Sequence, residues 1–130
     1  MIAGLGMDLI EVARMQQVLE RHGPRFLCHV FTPEEQNDAP RGEGRVRYYA
    51  GRWAAKEAVA KSLGTGIGAR CRWTDIRVRR GEAGEPVVTL AGRALETAQQ
   101  KNVIRILVSI THERSVAGAS AVAESRRATA

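Results

Sequence analysis

The chain has 130 residues, with twenty Lys and Arg against fourteen Asp and Glu for a formal net charge of +6. That length gives one domain with a modest core, small for an enzyme with a closed site, and chains of this size commonly complete their sites by oligomerising. No apolar run reaches membrane-span length, Met1 leads into a strand pattern rather than a signal peptide, and Cys28 and Cys71 are too isolated for a disulfide framework or zinc site. A reducing cytosol with free thiols is the expected compartment, cytoplasmic rather than membrane-bound. The basic balance asks for an acidic partner: nucleic acid, a phosphorylated ligand or an acidic protein. Trp, Tyr and Phe occur only twice each, without the stacking pair of an RNA-reading strand, which disfavours nucleic acid.

Met1 to Ile10 is short, apolar and period-two, so it reads as a buried strand. Ala3, Leu5, Met7 and Leu9 share one face, while Gly4, Gly6 and Asp8 share the other, where the glycines leave room for a backbone or a ligand. Glu11 to His22 follows as an amphipathic helix with Val12, Met15, Val18 and Leu19 inward, stopped by Gly23-Pro24. Arg25 to Val30 reads as another short helix, and Thr32 caps a further turn with Pro33 at its start. Asp38 to Gly44 is a polar loop and Arg45 to Leu63 a long helix, ended by Gly64-Thr65-Gly66-Ile67-Gly68. Thr74 to Arg80 and Pro86 to Leu90 form a hairpin, and Ala91 to Lys101 is helical. Val103 to Thr111 alternates, placing Ile104, Ile106, Val108, Ile110 and then His112 on one face. Ser115 to Ala123 returns as a small-residue strand suited to tight packing on the sheet or on another subunit.

The long helix carries a carboxylate among apolar neighbours. Val46, Tyr49, Ala50, Trp53, Ala60 and Gly64 gather on one arc, and Glu57 falls in its middle. A buried carboxylate must be paired, protonated or metal-bound. Glu57 with Asp8, and Lys61 one turn on, suits a hard divalent cation holding a phosphate. Two plainer readings stand beside it: an i,i+4 Glu57–Lys61 salt bridge, and Asp8 as a cap for the following helix. The stretch after Gly64 reads as a helix C-cap, although successive N–H groups in such a turn can also cradle phosphate. Arg14, Gln17 and Arg21 share a helix face that Arg25 extends, ordinarily a solvated surface.

Four segments in register resemble one family. Gly4-Leu5-Gly6-Met7-Asp8-Leu9-Ile10-Glu11 is similar to the opening signature of the acyl-carrier-protein synthases, the 4′-phosphopantetheinyl transferases. Arg52-Trp53-Ala54-Ala55-Lys56-Glu57-Ala58 through Lys61 resembles their second signature, Phe31-Thr32-Pro33-Glu34-Glu35 their connecting element, and Val108-Ser109-Ile110-Thr111-His112 with the Ala-rich strand their C-terminal hairpin. Met7, Trp53 and Thr111 are tolerable departures, and Gly42, Glu43 and Gly44 stand where basic residues are usual.

The resemblance implies an α+β fold, a small antiparallel-rich sheet packed against a long central helix. It implies one domain over 1–124 with a tail over 125–130. The implied reaction moves 4′-phosphopantetheine from coenzyme A to a serine of apo acyl carrier protein, in fatty acid biosynthesis. Asp8 and Glu57 would hold Mg2+, Lys61 would stabilise the departing phosphate, and Glu57 or a water on the metal would take the serine proton. Lys61, Gly64, Thr65, His112, Arg52, Arg45 and Pro86 would contact the coenzyme, and Arg14, Gln17, Arg21 and Arg25 would dock the carrier protein. A homotrimer with sites at its interfaces is implied, with no role for nucleic acid or membrane. The rivals are a non-catalytic binder of coenzyme or carrier, and a small basic module that binds nucleic acid.

Overall fold

The computed structural model describes residues 1–126. In chain order they form β1 (Ile2–Glu11), α1 (Val12–Val30), α2 (Pro33–Asp38), α3 (Gly44–Ser62), a 3-10 turn (Trp73–Asp75), β2 (Ile76–Arg80), β3 (Pro86–Leu90), α4 (Gly92–Gln100), β4 (Val103–His112) and β5 (Val116–Ser125). An antiparallel sheet of order β1-β5-β4 lies against α3, and β2 and β3 make a separate hairpin. The expected α+β architecture is therefore present. The expected tail begins a little early: β5 runs to Ser125, and the Arg126 N–H donates to Asn102 O at 3.1 Å. Its remainder, 127–130, lies outside the described residues.

Small residues decide how closely the sheet approaches α3. Gly4 pairs with Ala123, Gly6 with Ala121 and Asp8 with Ala119, and these alanines are buried. On the helix, Ala50, Ala54, Ala55 and Ala58 are fully buried. A Cβ at Gly4 would stand 1.9 Å from Ser62 O, and one at Gly6 would stand 1.9 Å from Ala58 O. The room left by these glycines is thus filled by the α3 backbone, the first of the two uses of a strand glycine.

The reading of β1 as a buried strand needs correction on its other face. Leu5, Met7 and Leu9 are 69%, 67% and 67% exposed, and Leu107 on β4 joins them at 49%. One layer of helix covers one side of the sheet only, so period-two alternation leaves the odd-numbered apolar residues of β1 outside.

Local chemistry explains the remaining boundaries. Gly23 adopts φ 43°, a conformation costly for residues with a Cβ, and Pro24 follows, so α1 is two helical segments meeting at a kink. Thr32 and Glu35 form a reciprocal capping box at the start of α2, with Pro33 at its first turn. The expected strand from Thr74 starts only at Ile76. Asp75 is held in the 3-10 turn, its carboxylate accepting from Arg72 N and from Ala94 N near the start of α4.

The core also holds an ion pair that the sequence reading did not foresee. Lys56 and Glu35 are both fully buried, 2.7 Å apart. Lys56 Nζ also donates to Val30 O at 2.8 Å and Trp73 O at 3.0 Å, using all three ammonium protons. Glu35 Oε1 accepts from Thr32 N, and Oε2 accepts from Val78 N at 2.8 Å. Burial pulls the Lys56 ammonium down from its ordinary value and Glu35 pushes back. Three acceptors, one a carboxylate, hold the charged form in place.

Candidate active site

Even-numbered residues of β1 face α3, so the strand aims Asp8 at the helix and the helix presents Glu57 and Lys61 to it. Lys61 Nζ donates to Asp8 Oδ1 at 3.1 Å and to Met7 O at 3.0 Å. Neither plainer reading is realised. Lys61 reaches across to the strand rather than back to Glu57, and α1 starts at Val12 with Glu11 as its N-cap and no side-chain cap bond.

Asp8 Oδ2 is buried and has no hydrogen-bond partner. Burial raises the Glu57 carboxyl above the usual carboxylate range, the neighbouring Asp8 raises it further, and Lys61 opposes them. An orphaned carboxylate oxygen beside a second, crowded carboxylate has the hard-oxygen chemistry of an Mg2+ site. Among the described residues no cluster of three or more His, Cys, Asp or Glu could hold a metal. Such an ion would therefore take its other oxygens from water and phosphate.

A raised Glu57 binds its proton more tightly in the folded chain than in the unfolded one. Its stabilising contribution is present in acid, below the unfolded carboxylate range, and is lost as pH rises through the raised value. Glu57→Gln should therefore raise the metal-free Tm at neutral pH, and the gain should shrink toward pH ~4. Thermal melts of both proteins across that range check this. An unchanged or lower Tm at neutral pH would refute the crowding.

The other expected site residues divide into groups. Gly64 is a true helix C′ glycine, at φ 81°. The N–H groups of Gly64, Thr65 and Gly66 donate to Lys61 O, Ala60 O and Ala60 O, so they close the helix rather than form a free phosphate cradle. Arg45, Arg52 and His112 cluster around the N-terminal half of α3. Arg45 lies 5.3 Å over the Tyr49 ring and Arg52 4.8 Å over Tyr48, while a Cβ at Gly51 would meet His112 Nε2 at 2.6 Å. Arg52 is buried and its Nε has no partner. Helical rise places Arg45 about 18 Å along the axis from Glu57, and Arg52 roughly 140° around it. Pro86 opens β3, in the hairpin rather than in the sheet that carries Asp8.

Arg14, Gln17, Arg21 and Arg25 are all exposed, but the Gly23 kink separates Arg25 from the other three. Arg14 and Gln17 line a groove with Leu9, Ile10, Glu11 and Val116. Sequence reasoning missed Trp73, whose ring lies 5.6 Å from Trp53 at an interplanar angle of 31°. Trp73 also borders a cavity of about 450 Å³ with His29, Ile67 and Arg72. Its position just before a strand expected from Thr74 gave no helical or strand periodicity by which to place it.

This architecture has counterparts. Residues 4–119 match the 4′-phosphopantetheinyl transferase superfamily, and the chain belongs to that family. It is 42% identical over 122 residues to the holo-[acyl-carrier-protein] synthase of Natranaerobius thermophilus, covering 94% of this chain and 97% of that protein. The crystal structure of the holo-[acyl-carrier-protein] synthase from Neisseria meningitidis superposes with a TM-score of 0.88 at 31% identity, over 95% of this chain and 99% of that one. A holo-(acyl-carrier-protein) synthase from Bacillus anthracis str. Ames, in complex with CoA (3′,5′-ADP), gives a TM-score of 0.82 at 34% identity, over 97% and 99% of the two chains.

Proposed function

We propose that this chain is a holo-[acyl-carrier-protein] synthase, moving 4′-phosphopantetheine from coenzyme A to a serine of an apo acyl carrier protein. The observation that carries the reading is the meeting of Asp8 from β1 with Glu57 and Lys61 from α3, with Asp8 Oδ2 buried and unpartnered. Asp8 and Glu57 would hold the metal, and an Mg2+ ion bound there would supply charge neutralisation at the pyrophosphate. The serine oxygen attacks the β-phosphorus, and the P–O bond to the departing adenosine 3′,5′-bisphosphate breaks. Glu57, or a water on the metal, accepts the serine proton. Lys61 offsets the negative charge that grows on the departing phosphate.

The working form is a homotrimer with a site in each interface. The exposed apolar face of β1 with Leu107 supports this, since a single chain leaves it in water. So does the spread of the basic residues. Arg45, Arg52 and His112 are too far along and around α3 to share one nucleotide with Glu57 of their own chain. They, with Pro86, serve the coenzyme whose pyrophosphate lies at a neighbour's Asp8 and Glu57, while Gly64 and Thr65 border it in the same chain as Lys61. The buried, unpartnered Arg52 Nε suits a nucleotide phosphate. Arg14, Gln17, Arg21 and Arg25 present positive charge and hydrogen bonds to the acidic carrier protein. The folded unit, which runs through β5 to Arg126, is one domain acting in fatty acid biosynthesis in the cytoplasm; no helix of the described residues is long and apolar enough to cross a membrane.

Intact mass spectrometry tests the reaction. Purified apo acyl carrier protein, incubated with this protein, coenzyme A and Mg2+, should gain one phosphopantetheine mass, and Glu57→Ala or chelator should abolish the gain. Absence of a shift with several apo carriers would overturn the reading.

A further inference from the structure

Lys56 precedes Glu57 in α3 but points some 100° away from it, into the core. There its ammonium ties α3 to three other parts of the fold: the end of α1 through Val30 O, the α2 capping box through Glu35, and the 3-10 turn through Trp73 O. Glu35 extends the tie to β2 through Val78 N. Trp73, whose carbonyl Lys56 grips, lays its ring on Trp53 one turn before Glu57. On its opposite side α3 rests on the glycines of β1, which set its distance from Asp8, and there, among the described residues, only the long, half-exposed Lys61 side chain ties it to the strand.

From this geometry we infer that the Lys56–Glu35 pair is a positioning device for the reaction, fixing the rotation of α3 so that Glu57 faces Asp8. This rests on the transferase reading above. A side chain stands about 5–6 Å from its helix axis, so a turn of roughly 10° displaces the Glu57 carboxylate by about 1 Å. A displacement of that size can cost about 10²-fold in rate, and lost outer support for metal ligands costs about 10–100-fold in affinity. Neither Lys56 nor Glu35 has side-chain surface open to solvent, so neither can touch substrate. Their effect on turnover must pass through Glu57.

The test is Glu35→Asp, which keeps the charge and shortens the reach by one methylene, drawing Lys56 and its helix with it. Mn2+ serves as the probe, because it shares the hard-oxygen preference of Mg2+ and its free form is counted by electron paramagnetic resonance. A variant with the parent's circular dichroism is expected to bind Mn2+ about tenfold more weakly. Its kcat should fall about 10²-fold while KM for coenzyme A stays within a few-fold. If Glu35→Asp does not fold, the uncharged pair Lys56→Met with Glu35→Gln takes its place under the same readouts. Parental Mn2+ affinity and kcat in either folded variant would overturn the inference and leave the pair a stabilising element only. A parent protein that neither binds Mn2+ nor modifies any carrier would instead overturn the transferase reading, and the inference with it.

Discussion

Gly6→Ala is expected to lose about 3 kcal/mol of stability and most of the transferase activity. The added methyl would lie 1.9 Å from Ala58 O and 2.9 Å from both Ala58 C and Ser62 N, all of them α3 backbone. No rotamer change relieves a clash with a helix carbonyl, so the strand and the helix must part by more than an ångström. Overpacking a core with one methyl group ordinarily costs about 1–3 kcal/mol, and a rigid backbone obstacle puts this site at the upper end. The same separation draws Asp8, two residues along the same face, away from Glu57 and Lys61. Urea denaturation and the carrier-modification rate measure the two losses. Gly68→Ala is the control: nothing stands within 4 Å of its Cβ, and its stability should change by no more than about 0.5 kcal/mol. A Gly6→Ala protein as stable as that control would show that β1 and α3 are less closely seated than a 1.9 Å approach implies.

Lys56→Ala carries the second large effect, a destabilisation of about 3–5 kcal/mol. Truncation leaves the Glu35 carboxylate fully buried without its cation, and takes the ammonium donor from Val30 O and from Trp73 O, which keeps only the Ile76 N–H. A stranded buried charge is far more costly than a pair removed together, because the attraction is lost while the desolvation remains. The contrast with Lys56→Met/Glu35→Gln is therefore informative: the double variant should recover a large part of the lost stability. Equilibrium denaturation of both proteins decides it. A Lys56→Ala protein within 1 kcal/mol of the parent would mean that water reaches the pair, contrary to its complete burial.

Much of this molecule was legible from the chain because its elements carry strong periodic signals. Period-two alternation located β1 and put Asp8 on the face with Gly4 and Gly6, and 3.6-residue periodicity put Glu57 and Lys61 on one stretch of α3. Gly23-Pro24 marked the kink, and Thr32 with Pro33 marked the start of α2. What escaped were features whose partners lie far apart in sequence. Lys56 lies between Ala55 and Glu57 on a largely buried helix, and nothing local says that it meets Glu35, 21 positions earlier. The exposure of Leu5, Met7 and Leu9 escaped for a related reason. An apolar alternating strand has the same pattern whether a second layer comes from its own chain or from another.

Period two in β1 also sets how this segment tolerates change. Its even-numbered face carries the glycines and Asp8 against α3, and its odd-numbered face carries the exposed leucines and methionine. Inserting or deleting a single residue between Gly4 and Asp8 would exchange the two faces from that point on. The carboxylate would turn outward among apolar side chains, and a leucine would meet the helix backbone where only hydrogen fits. A substitution along this strand disturbs one face at one position, but a change in its length strikes both faces together.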